Sequence, residues 1–274
     1  MRGLRMTAIV AERVTLAYGT TVAVKDVTFV IPKQQLTAII GPNGSGKSTI
    51  LNGICGIATL ISGTIEIDGK PASANLESIA YVLQAGRINE TMPVTVAEVI
   101  AMARYGRLGK FGRLRSRDRD ICREAADRMN VLEFADKHIR ELSGGQRQRV
   151  FVAQGLAQDA DILLMDEPSN ALDILSRQLI ENAMVEEVRG GRTVAFTTHD
   201  LSDATTADHV ILMSGTVERQ GPPAEVLDAD VLAKAYGIAV VSLEDSGVLM
   251  DGHGHLEEKR HIHFDRSGHA GHEQ

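Results

Sequence analysis

Nine consecutive residues, Gly41, Pro42, Asn43, Gly44, Ser45, Gly46, Lys47, Ser48 and Thr49, bring together the parts needed to hold phosphate. Small residues let backbone N–H groups turn inward around phosphate oxygens, and a helix starting there points its positive end at them. Lys47 can reach the outer phosphates of a nucleoside triphosphate, and the Ser48 hydroxyl can ligate Mg²⁺. Further on, the apolar run 162–165 ends in Asp166, Glu167 and Pro168. Carboxylates at the carboxyl edge of a buried strand lie where such sheets bind ligands. Asp166 is suited to hold Mg²⁺ through water, and Glu167 to polarise an attacking water as general base. An Asp-Glu pair alone reads as a helix start; beside this phosphate loop it reads as phosphoryl chemistry.

Between the two lies Leu142, Ser143, Gly144, Gly145 and Gln146. A serine and bare glycine backbone at a helix start form an anion seat, yet the chain already has one of its own. The three motifs together resemble those of the ATP-binding cassette (ABC) family, over residues 9–237. The resemblance implies an α/β fold: a P-loop NTPase (RecA-like) core with an antiparallel β layer and an inserted α-helical lobe, working with ATP and Mg²⁺. It also implies a head-to-tail homodimer, in which Ser143, Gly144, Gly145 and Gln146 complete the partner copy's nucleotide site, Ser143 and Gly145 facing its γ-phosphate.

Further roles follow from the resemblance alone. Gln84, after Tyr81, Val82 and Leu83, matches a glutamine that approaches Mg²⁺ and the water where the lobe joins the core. His199 matches a switch histidine contacting the γ-phosphate, and Tyr18 an aromatic that stacks on adenine. Asp173 falls in the loop that crosses between subunits, where Asn170 departs from the Thr-Ser or Phe-Thr-Gly of many relatives. Each has an ordinary alternative: a surface glutamine, a satisfied polar histidine, a tyrosine that anchors a core.

The elements needed to position these residues are legible. Runs 8–17 and 22–31, rich in Val, Thr and Ile, predict a hairpin. A short buried strand over 36–40 feeds the glycine loop, a helix follows over 48–55, and 64–68 is a strand stopped by Gly69. Apolar spacing predicts helices over 96–103 and 121–132. Strands are expected at 162–165, 193–197 and 210–213, with a helix at 176–188. This order implies a largely parallel sheet covered on both faces. The expected organisation is a domain over 7–240, with its helical lobe at about 95–157, and a His-rich tail over 241–274.

With 274 residues, 43% of them hydrophobic, the chain can bury a sizeable core. A net charge of -7 argues against a general polyanion-binding surface. Two distant cysteines, Cys55 and Cys122, exclude a disulfide framework or cysteine zinc site and make a reducing cytosol the default. The N-terminus does not read as a signal peptide, and no run of about 18 apolar residues occurs, so another polypeptide must supply any membrane span. Arg104, Arg107, Lys110, Arg113, Arg115, Arg117 and Arg119 form a basic run with few aromatics and intervening acids. A solvated face, or a contact near a membrane partner and its lipid head groups, fits it better than nucleic acid.

Stretches 92–109, 151–161, 221–227 and 235–237 resemble ATPases of manganese, zinc and related divalent-metal importers; siderophore, haem and cobalamin importers share parts of them. The implied partners are integral-membrane permease subunits and, indirectly, an extracytoplasmic substrate-binding protein, with the chain peripheral on the cytoplasmic face of the membrane and no nucleic acid. An exporter ATPase shares the core motifs. A ribosome- or DNA-acting ABC ATPase usually carries a second cassette or a long coiled-coil insertion, and neither is seen. His253, His255, His261, His263, His269 and His272 crowd the tail and could clasp Zn²⁺, Ni²⁺ or Cu²⁺.

Overall fold

The computed structural model describes residues 7–84, 93–108 and 113–236, apart from the side chain of Arg107. β1 (Thr7–Tyr18) and β2 (Thr21–Pro32) form the expected hairpin, Tyr18 pairing with Thr21 across the turn. β4 (Thr59–Ile67) pairs with the other edge of β1 and carries β5 (Lys70–Pro71). This is the antiparallel layer. It is longer than the sequence suggested, because the first six residues of β4 are exposed and so carry no alternating apolar pattern.

The second sheet has the order β10-β9-β3-β8-β7-β6. Its strands are β3 (Leu36–Ile40), β6 (Ile79–Val82), β7 (Ile162–Met165), β8 (Thr193–Thr197), β9 (His209–Met213) and β10 (Val217–Gly221). All neighbours are parallel except β10 on β9. The central strands are buried along their whole length and alternate between two cores. Leu36, Ala38 and Ile40 of β3, with Leu163 and Met165 of β7, join the core under the larger helices. Ile39, Ile162 and Leu164 point the other way, into the core shared with α1 (Lys47–Ile54) and the antiparallel layer. The expectation of a largely parallel sheet covered on both faces holds.

The remaining helices are α2 (Val96–Leu108), α3 (Ser116–Arg128), α4 (Gly144–Ala157), α5 (Ile174–Arg189), α6 (Leu201–Thr205), α7 (Pro223–Val226) and α8 (Ala229–Tyr236). α3 stops before 132 because Asn130 takes a left-handed backbone, φ 50°. α2, α3 and α4 pack on one another, and Arg104 ties them together. It is buried, bonds Asp118 at 3.0 Å, and donates to Ala157 O at 3.0 Å at the open end of α4. Arg104 is therefore no part of a solvated basic face: the carboxylate and the end-of-helix carbonyls satisfy its charge. Arg113, Arg115, Arg117 and Arg119 are exposed; Lys110 lies outside the described residues.

Cys55 and Cys122 are both free thiols. Among the described residues no helix is long and apolar enough to cross a membrane. All of them fall in one unit, Met1–Ala239. The tail histidines lie outside the described residues.

Candidate active site

β3 delivers the chain into the phosphate loop, and packing dictates the glycines there. A Cβ on Gly41 would stand 2.0 Å from Met213 O, and one on Gly46 would stand 2.6 Å from Val24 Cγ2. Gly41, Gly44 and Gly46 also hold positive φ angles of 146°, 80° and 100°. The loop is braced from outside, since Gly215 N donates to Ser45 O at 3.2 Å. The result is a backbone cradle opening at the start of α1 and shaped for phosphate oxygens. Lys47 is buried and curls over the loop, donating to Gly41 O at 2.8 Å and Pro42 O at 3.1 Å. Burial pushes its pKa down, and the nearby Glu167 and Asp166 carboxylates oppose that shift.

The carboxylates meet the loop as expected. Asp166 is buried at the end of β7, where its Oδ1 accepts from Ser48 Oγ at 2.7 Å and Thr197 Oγ1 at 2.8 Å. Two hard oxygen ligands thus converge from separate parts of the chain, a donor set that fits Mg²⁺. Glu167 has φ 46°, a left-handed backbone that strains a residue with a side chain. Its N–H is held by Thr197 Oγ1 at 2.8 Å. Its Oε2 accepts from Gln84 Nε2 at 3.1 Å and from Asn170 Nδ2 at 2.8 Å. Gln84 therefore stands against Glu167 in this structure.

His199 follows β8, exposed, with no hydrogen-bond partner for its ring among the described residues. It lines a small cavity of ≈ 70 Å³ together with Glu167, Asn170, Thr197 and Arg177. Tyr18 keeps 43% of its surface exposed while Asn52 Nδ2 of α1 holds its hydroxyl at 2.6 Å. That leaves a tethered ring at the end of β1.

Ser143 caps α4 through a reciprocal pair of bonds with Gln146, at 3.3 and 2.9 Å. Ser143 and Gly144 are exposed. Among the described residues, none from 143 to 146 bonds to the chain's own phosphate loop. Gly145 is different. A Cβ there would lie 2.7 Å from Asp173 Oδ2, so the signature backbone packs against the cap of α5. Asp173 accepts from Ser176 N and Ser176 Oγ, both at 2.8 Å; those bonds hold its carboxyl below the usual range.

Sequence reading passed over two members of this cluster. Thr197 bridges Asp166 and Glu167; its only signal was a hydroxyl at the last position of an apolar strand. Asn170 drew notice as a departure from relatives, with no sign that it would hold Glu167.

The description "ABC transporter" matches residues 24–170. The manganese transport system ATP-binding protein MntB of Bacillus subtilis is 36% identical over 88% of this chain and 97% of its own length. The chain belongs to the ABC transporter family. The zinc transport system ATP-binding protein TroB of Treponema pallidum is 38% identical over 84% of this chain and 87% of its own. The iron(3+)-hydroxamate import ATP-binding protein FhuC of B. subtilis is 35% identical, over 85% and 89%. A solved dimeric bacterial ABC transporter cassette matches with a TM-score of 0.69 and 27% identity, over 78% of this chain and 98% of its own. This ABC cassette is thus an ATPase subunit of a transporter.

Proposed function

We propose that this ABC ATPase powers import of a divalent metal ion, manganese or zinc, as a homodimeric clamp beneath integral-membrane permease subunits on the cytoplasmic face. The similarity to MntB and TroB supports the cargo, and the dimeric cassette among its structural relatives supports the clamp. An extracytoplasmic binding protein would hand cargo to the permease. The similarity to FhuC favours a second reading, in which the cargo is an iron chelate.

The observation that carries the catalytic reading is the convergence of Ser48, Asp166 and Glu167 at one point beside Lys47. Ser48 and Asp166, with Gln84, would hold Mg²⁺, which would neutralise charge at the phosphates when bound. Glu167 takes a proton from the attacking water as general base. Gln84 and Asn170 both bond one oxygen of Glu167, which leaves Oε1 free of them to meet the water. Lys47, drawn off the loop carbonyls by the stronger acceptor, pairs with the outer phosphates. His199 contacts the γ-phosphate and Tyr18 stacks on adenine. Ser143 and Gly144, exposed at the start of α4, face the γ-phosphate held by the partner copy, while Gly145 and Gln146 shape that turn.

Uptake of radiolabelled Mn²⁺ and Zn²⁺ by cells lacking this subunit, with and without plasmid-borne wild type or Glu167→Gln, tests the reading. Only the wild type should restore uptake of one of the ions. Normal uptake of both ions in the deleted cells, with loss of an iron chelate instead, would select the second reading.

A further inference from the structure

Among the described residues His199 has no side-chain partner, yet both of its neighbours are tightly tied, and the ties converge on one arginine of α5. Thr198 N bonds Ile39 O at 3.0 Å, and its hydroxyl donates to Asp203 Oδ2 at 2.8 Å and accepts from Asp200 N at 3.0 Å. Asp200 caps α6 through Ser202 N at 2.9 Å and Ser202 Oγ at 2.6 Å. The outer oxygen of Asp200 accepts from Arg177 Nη2 at 2.8 Å, and the same nitrogen bonds Asp203 Oδ1. Arg177 Nε donates to Glu181 at 2.9 Å. One guanidinium thus holds three carboxylates, two of them in the segment that directly follows His199.

Arg177 also belongs to the other side of the site. Its N–H bonds Asp173 O at 3.0 Å, in the first turn of the helix that Asp173 caps and that Gly145 packs against. The segment between Glu167 and Asp173 leads directly into this turn. We propose that Arg177 is a positioning residue, fixing His199 relative to the 167–173 segment so that displacement of that segment by the partner copy moves the histidine.

The electrostatics agree with the geometry. Ser202 and then Arg177 hold the Asp200 carboxyl down at about 2 against the opposing effect of desolvation, and Asp200, Glu181 and Asp203 raise Arg177. Without the cation, three carboxylates would repel one another beside His199. Lysine would restore charge without the fork that reaches separate acceptors.

This inference rests on the role given above to His199, so His199→Ala is measured in parallel. Arg177→Gln should lower kcat about tenfold, the scale of a small misplacement near the chemistry. The ATP concentration for half-saturation should stay within about twofold, because the phosphate loop is untouched. Arg177→Lys should recover part of the loss. Asp200→Asn should lower kcat similarly, and the double variant should be no worse than either single one, as expected of residues acting as a unit. A folded Arg177→Gln or Asp200→Asn with kcat within twofold of wild type would overturn the proposal. So would losses that multiply in the double variant, or a change confined to half-saturation. If Arg177→Gln does not fold, Asp200→Asn and Arg177→Lys decide by the same criteria. Wild-type turnover in His199→Ala would instead remove the histidine's role; a crippled His199→Ala beside a silent Arg177→Gln would remove only the arginine's.

Discussion

Ser48 and Asp166 stand 118 positions apart in the chain and 2.7 Å apart in the fold. A hydroxyl at the start of α1 and a carboxylate at the end of β7 meet because β3 and β7 flank β8 in one parallel sheet and end at the same edge. Removing one of the pair should weaken the metal dependence of turnover while leaving the fold. Ser48→Ala is expected to raise the Mg²⁺ concentration for half-maximal hydrolysis at least tenfold. A Mg²⁺ titration of ATPase activity checks this, and an unchanged midpoint would exclude Ser48 as a ligand.

Glu167→Gln should retain nucleotide binding and lose about 10²–10⁴-fold in turnover, the usual contribution of a general base. Equilibrium ATP binding measured beside steady-state hydrolysis separates the two. Lys47→Ala should give the reverse pattern, with binding itself weakened by loss of the charged donor.

Thr197→Val is expected to matter although the residue carries no charge. It would strand the Glu167 N–H and remove a donor from Asp166, at a cost of about 1–3 kcal/mol. Thermal unfolding and turnover should both fall, and Thr197→Ser should restore both. A silent Thr197→Val would show that Glu167 needs no such brace.

For the dimer, Gly144 is a better probe than Gly145. A side chain at 145 collides with Asp173 in the same chain, whereas at 144 nothing lies within 4 Å. Gly144→Asp should leave the monomer intact, since an acid in the first turn of α4 suits the helix dipole. The same carboxylate would face the partner's γ-phosphate and block closure. Sedimentation with ATP in a Glu167→Gln background should show dimer without the aspartate and monomer with it. A dimer in both cases would place the signature away from the interface.

The Arg104–Asp118 pair predicts a pH effect on stability. Bonds from Arg115 N and then Arg104 hold the Asp118 carboxyl below its ordinary range. A carboxylate depressed in the folded state stabilises above its unfolded pKa, and that stability fades as pH falls through the folded value. Asp118→Asn should therefore lower the melting temperature at neutral pH, with the difference shrinking in strong acid. A constant difference across that range would contradict the linkage.

The motifs of the proposed site were legible because each is a short run of the chain: a glycine loop, an apolar strand with acids at its end, a serine with two glycines. The parallel sheet followed from their order. What escaped was whatever depends on partners distant in sequence. Arg104 looks like its basic neighbours until Asp118 and the end of α4 close over it. Thr197 and Arg177 carry no motif, and their importance lies in what they join. β6, with four residues, is too short to show a period, and β10 is mostly polar.

The left-handed backbone at Glu167 sets folding and turnover against each other. A side chain in that conformation costs roughly 1–2 kcal/mol relative to the ordinary one, and glycine would relieve it. Selection for a sturdier fold would therefore pull this position toward glycine, and the proposed role of Glu167 as general base would hold it at glutamate. A library screened only for heat resistance should drift to dead protein at position 167, so thermostable variants of this enzyme are better sought away from the end of β7.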